Sequence, residues 1–137
     1  MAAVEDEIRQ ASEQFYEALN RMINGDPEPM MEVWSHSSDV ANMHPTGGRQ
    51  TGWEEVRASW ERGAQGFAQG FSEGEVSIED LVVVPLSDDV AYTLGTEKGQ
   101  ITTLGAETVS LDQRVTSIYR REEGEWKMVL HHTDVSL

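Results

Sequence analysis

The spacing of apolar residues changes once along this chain, and that change dictates the class of fold. Val4, Ile8, Ala11, Phe15, Leu19 and Met22 recur at three- and four-residue steps, the repeat that collects side chains on one face of a helix. From Phe71 onward the step is two and β-branched residues become frequent, as in half-buried strands. Helices gathered first and long strands after them predict an α+β protein whose sheet curves over the helices.

Local signals divide the chain further. Glu5, Asp6 and Glu7 sit where a helix amino terminus favours negative charge. The first helix is predicted to stop at Asn24-Gly25. Asp26 and Pro27 then supply an N-cap and a first-turn proline for a short second helix carrying Met30, Met31 and Trp34. Residues 39–44 read as a strand, and Pro45 with Gly47 and Gly48 as a turn. Thr51-Gly52-Trp53-Glu54 has capping-box spacing and opens a third helix, with Val56, Trp60, Ala64 and Phe67 on one face and Gly63 and Gly66 weakening its end. Strands are predicted over 75–84, 90–100, 108–121 and 125–135, the last two joined by a hairpin at Glu122-Glu123-Gly124. No repeat, linker or low-complexity tract appears, so residues 1–137 are expected to form a single domain. Three helices cannot cover Val82, Val84, Tyr92, Leu94 and Val109 on a long sheet, which predicts a homodimer.

Composition removes several function classes. A 137-residue chain with 38% hydrophobic residues is long enough to bury roughly two-thirds of its unfolded surface. A formal charge of −15, with no basic stripe, argues against nucleic acid and anionic membrane surfaces. Cysteine is absent, excluding disulfides and thiolate chemistry. The acidic opening Met-Ala-Ala-Val-Glu-Asp-Glu is unlike a secretory signal, and no apolar run approaches the ~20 residues of a bilayer span. A cytoplasmic protein is expected.

Chemistry concentrates in two places. His44 precedes Pro45 at the predicted end of the first strand, where it reads either as a proton acceptor in a partly apolar cavity or as a turn histidine bonded to backbone. His131 and His132 are adjacent on the final strand and must face opposite ways. Trp126, Met128 and Leu130 share the parity of His132, so His132 is predicted inside and His131 outside. Arg114 alternates with Thr116, Ile118 and Arg120, and is read either as a receptor for a ligand carboxylate or enolate or as the partner of Glu107 or Asp112. The candidate catalytic residues are therefore His44, His132 and Arg114. Trp34, Trp53, Tyr16, Tyr92 and Met128 are candidate ligand contacts, the tryptophans and Met128 reading also as ordinary core. The histidines lack a metal-ligand spacing, the serines lack a Gly-x-Ser-x-Gly elbow, and Gly47-Gly48 lacks the rest of a phosphate loop. No metal and no cofactor are predicted.

Phe15-Tyr16-Glu-Ala-Leu19, then His44-Pro45-x-Gly47 with Gly52-Trp53, then Arg114 to Arg121 leading to Gly124-Glu-Trp126, in this order and spacing, resemble the SnoaL-like, nuclear-transport-factor-2-like superfamily from about Ile8 to Thr133. The resemblance implies a cone-shaped α+β barrel of three helices on a strongly curved, mainly antiparallel sheet, a blind apolar cavity, and a homodimer formed through sheet faces. Ketosteroid isomerase, polyketide cyclases and scytalone dehydratase belong to the superfamily, as do noncatalytic kinase-association domains, so fold alone does not choose the chemistry. In the isomerase a general-base aspartate precedes a proline, and His44 is similar in place; Phe15 falls where the isomerase has a tyrosine. The resemblance thus implies a small apolar or carbonyl-containing ligand and an isomerase, cyclase or dehydratase removing a proton next to a carbonyl, or else a noncatalytic binding or association module.

Overall fold

The computed structural model describes residues 2–45 and 48–135, apart from the side chains of 2, 67, 68, 71 and 72; the expected turn glycine Gly47 and the side chain of Phe67 lie outside the described set. Helix α1 (Ala2–Ile23) is followed by α2 (Glu28–Val33), strands β1 (Ala41–His44) and β2 (Gly48–Thr51), helix α3 (Trp53–Gly70), and strands β3 (Phe71–Pro85), β4 (Val90–Thr103), β5 (Thr108–Glu122) and β6 (Glu125–Val135). Every apolar residue assigned to the first helix face is buried, as are Val56, Trp60 and Ala64 of α3. The end of α1 is a Schellman motif: Gly25, at φ +97°, donates to the Met22 carbonyl at 3.0 Å and Asp26 donates to that of Arg21 at 2.8 Å. The Asp26 carboxylate accepts the Glu28 N–H at 3.2 Å, opening α2. At α3 the capping acid is Glu55 instead of Glu54, accepting the Thr51 N–H at 3.2 Å.

The strands form one curved, unclosed sheet in the order β2-β1-β6-β5-β4-β3, antiparallel except where β1 runs parallel to β6. Strand β2 was not expected: the sequence places Gly48 in a turn and Thr51 at a helix cap. Its residues, Gly48-Arg49-Gln50-Thr51, carry no apolar alternation, and it exists through backbone pairing with β1. The long strands also extend past their predicted limits, β3 starting at Phe71 and β4 ending at Thr103. Among the described residues, no helix is long and apolar enough to cross a membrane.

Two interruptions reset the side-chain alternation. In β3 the register slips between Glu79 and Val82, with Asp80 at φ 55°, so Val76 and Val83 are both buried although seven positions apart. In β6 Leu130 pairs with Ile118 but Met128 pairs with Tyr119, leaving Val129 as the extra residue of a β-bulge. The helices cover the inner face. On the outer face Val82 and Leu94 remain 49% and 41% exposed.

Gly99 marks the tightest approach in the sheet. A Cβ there would lie 2.1 Å from the Glu75 carbonyl oxygen and 2.9 Å from Val76 Cα, both backbone atoms of β3. We expect Gly99→Ala to destabilise the protein by about 2 kcal/mol or more, read as a lowered urea midpoint; an unchanged midpoint contradicts this packing.

Candidate functional site

Strand β4 turns Ala91, Thr93, Glu97 and Ile101 inward, so a carboxylate sits among the core side chains with only 2% exposure. An ion so placed persists only if its lone pairs are filled. Tyr16 of α1 donates its hydroxyl to Glu97 Oε2 at 2.8 Å, His131 Nε2 of β6 lies 3.1 Å from the same oxygen, and Gln113 Nε2 of β5 donates to Oε1 at 3.0 Å. Burial pushes the Glu97 carboxyl up, but the bonds from His131, Gln113 and Tyr16, with the His131 charge, hold it below the usual carboxylate value. Burial first, and the Glu97 charge second, drive the Tyr16 phenol far above its ordinary range, so it stays a protonated donor.

His131 reaches Glu97 because of the Val129 bulge. Without that extra residue His132 would share the inward face with Met128; with it, Met128, His131 and Thr133 are buried and His132 is exposed. The inside–outside assignment from strand parity is therefore reversed. The second ring nitrogen of His131, Nδ1, lies 3.2 Å from Ser117 Oγ, a hydroxyl able to donate to the neutral ring or accept from the charged one. Phe15 packs against the imidazole at a centroid distance of 4.6 Å, with Trp60 at 6.3 Å.

Above this network lies a pocket of about 390 Å³, lined by aliphatic residues such as Leu19, Met22, Ile101 and Leu111 and by His44, Trp60, Glu97, Gln113, His131 and Thr133. His44 is the last residue of β1, paired with Gly48 of β2 just before Pro45 ends the strand, and its imidazole has no hydrogen-bond partner among the described residues. Burial, then the charge of His131, lower its proton affinity against the smaller pull of Glu97, which keeps it a neutral base near pH 7. Thr133 Oγ1 and Trp60 Nε1 are also buried without a partner among the described residues.

The other predicted site residues lie elsewhere. Arg114 is exposed on the outer face, bound through Nε and Nη2 to Asp134 at 2.8 and 2.6 Å, not to Glu107 or Asp112. His132 borders the same outer hollow, and Tyr92 lies on that face between Val84 and Ile118. Trp34 and Met128 are fully buried in the core and do not line the pocket. Trp53 stacks on His36 at 4.1 Å outside it. Of the predicted residues, the structure brings Tyr16 and His44 to the site, together with His131, which strand parity had placed outside; Glu97, Gln113, Ser117 and Thr133 had not been singled out. An acid on a strand parity otherwise holding Ala91, Thr93 and Ile101 was the available signal for Glu97.

Residues 8–135 match the SnoaL-like domain model, and the chain belongs to this family. Its structure superposes on a "putative dehydratase from the NTF2-like family" of Streptomyces avermitilis, with a TM-score of 0.83, 21% identity, and 99% and 98% of the two chains covered. An NTF2-like superfamily protein of Salmonella enterica gives 0.85 at 14% identity over 99% and 93%. A "putative calcium/calmodulin-dependent protein kinase type II association domain" of Thiobacillus denitrificans gives 0.71 at 26% identity over 93% of each chain. A sequence search of curated proteins finds no match.

The titrating groups of the pocket set the direction of acid sensitivity. The folded His44 binds its proton less readily than the ordinary imidazole of 6.5, so its contribution is complete above that pH and is lost as pH falls below it. Glu97, held below 4.5, adds a second loss at lower pH, as it protonates. Urea unfolding at pH 7.0 and 5.5 should show wild type losing more stability than His44→Gln; equal losses would contradict the burial of His44.

Proposed function

We propose that the protein is a small-molecule enzyme of the isomerase or lyase type, working by proton abstraction next to a carbonyl. Support comes above all from His44, a neutral imidazole without a hydrogen-bond partner among the described residues, lining a mainly apolar pocket beside a buried ionised carboxylate. A substrate C–H proton passes to a ring nitrogen of His44, leaving an enolate and an imidazolium. The imidazolium then returns the proton to a different carbon, an isomerisation, or to a departing β-hydroxyl, which leaves as water, a dehydration. His131 has both ring nitrogens engaged, so it is a positioning residue that shapes the field around the enolate. Its partner Glu97 counters positive charge developing nearby. The dehydratase name carried by the Streptomyces avermitilis protein agrees with this reading. Deuterium exchange into 2-tetralone, a probe with acidic protons beside its ketone, should rise with pH through an apparent pKa below 6.5 and fall at least ~100-fold in His44→Gln. Full exchange in a folded His44→Gln protein overturns the assignment.

We propose further that two copies pair through the outer sheet face. Val82 and Leu94 are solvent-exposed there beside the half-buried Tyr92, Ile118 and Leu130, an apolar stretch costly to leave wet. The association-domain name carried by the Thiobacillus denitrificans protein agrees with self-association, and a noncatalytic binding or association role follows if no turnover exists. Light scattering should give twice the 15.3 kDa chain mass, and Leu94→Arg should halve it. A monomeric wild type at micromolar concentration would refute the pairing.

A further inference from the structure

An enolate formed beside His44 needs a hydrogen-bond donor at its oxygen, and most polar groups of the pocket wall are already committed. Gln113 Nε2 donates to Glu97 Oε1 at 3.0 Å, and the ring nitrogens of His131 are engaged by Glu97 Oε2 and Ser117 Oγ. Thr133 Oγ1 and Trp60 Nε1 are buried so completely that neither atom faces the open space. A donor next to Glu97 would also gather the developing negative charge beside an existing one, in surroundings of low dielectric. The enolate oxygen therefore belongs on a wall away from that carboxylate.

Ser59 of α3 supplies such a wall. It lines the pocket and is half-buried, and its hydroxyl has no hydrogen-bond partner among the described residues. A helical serine can always turn its hydroxyl onto the carbonyl one turn back; Ser59 does not. Spacing explains why it stays uncovered. Helical side chains lean toward the amino terminus, so the residue one turn on, at position 63, is the one that would lie over Ser59. That residue is Gly63, which lines the pocket too. A glycine in mid-helix weakens the helix, and packing does not require this one: the nearest atom to an added Cβ is Met22 Sδ at 3.8 Å. The elements that carry Ser59 and His44 are neighbours, since α3 packs on β1 and β2 and His44 ends β1. Glu97 enters from β4, three strands from β1 in the sheet.

We propose that the Ser59 hydroxyl receives the substrate oxygen and is thereby the second catalytic residue, donating to the oxygen on which negative charge collects while His44 holds the proton taken from the adjacent carbon. Ser59 keeps its own proton throughout. The C–H electron pair moves into the enolate, and the imidazolium returns its proton to carbon or to the departing hydroxyl. This assignment rests on the reading of His44 as the base and names the other group of that reaction.

Deuterium exchange into 2-tetralone, with equilibrium binding of 2-naphthol, a flat analogue of its enol, and of oxygen-free tetralin, tests the assignment in wild type and Ser59→Ala. Alanine is the better helix former, so the variant should fold. Its exchange rate at saturating ketone should fall about tenfold or more, with the pH midpoint unmoved because His44 is untouched. It should bind 2-naphthol about tenfold more weakly and tetralin within about twofold of wild type. Exchange in Ser59→Ala equal to that of wild type overturns the proposal, as does an equal loss of 2-naphthol and tetralin binding, or no binding of either probe at millimolar concentration. The two readings fail separately. Exchange abolished in His44→Gln but intact in Ser59→Ala removes Ser59 alone. A wild type without exchange, whose Ser59→Ala variant selectively loses 2-naphthol, removes proton transfer and retains Ser59 as the group that holds the ligand oxygen.

Discussion

A single buried carboxylate organises the structure around it. Glu97 sits where the inner face of the sheet meets the first helix, and its charge survives there because α1, β5 and β6 each send one donor to it. The partners stand far apart along the chain, Tyr16 and Glu97 by 81 positions, so the network forms only when the helix has docked on the completed sheet. Removing any one donor leaves lone pairs of a desolvated ion unfilled, whereas removing the acid leaves three donors facing apolar surroundings. The site and the fold therefore share one set of interactions.

The sheet is shaped to make room for this group. Gly95 and Gly99 flank Glu97, and at each a Cβ would collide with β3: with the Ile78 side chain at 2.6 Å for Gly95 and with the Glu75 carbonyl at 2.1 Å for Gly99. Their bare backbones allow β3 and β4 to press together behind the carboxylate. The Val129 bulge performs the complementary task on β6 by rotating His131 inward. The inner face sets Glu97, Gln113, Ser117, His131 and Thr133 among its apolar side chains, and the outer face leaves Val82 and Leu94 exposed beside Arg114 and Asp134, a local inversion of the usual rule of apolar inside and polar outside.

That inversion explains what the sequence revealed and what it hid. The first helix, the Asn24-Gly25 stop and the β5–β6 hairpin were legible because propensity, capping chemistry and periodicity agree locally with the final structure. The corner that aims His44 was legible too, since Pro45 forbids the strand to continue. The partner histidine was not: a bulge adds one residue to the pairing without any local mark such as a glycine, and a parity argument carried through Val129 selects His132 in place of His131. Glu97 was overlooked because a strand carboxylate is ordinarily solvated and nothing beside it in the chain marks it as buried. Trp53, read as a wall of the cavity, is instead drawn outward by stacking on His36, a contact between residues 17 apart that no local pattern announces.

The central claim is that hydrogen bonds, not burial, decide the charge of Glu97. Site-resolved carbon NMR of its side-chain carboxyl across a pH titration tests this directly. The account predicts that the resonance stays that of a carboxylate down through pH 4.5 and changes only below it. A midpoint above 4.5, the result burial alone would produce, contradicts the account and with it the site built on that charge.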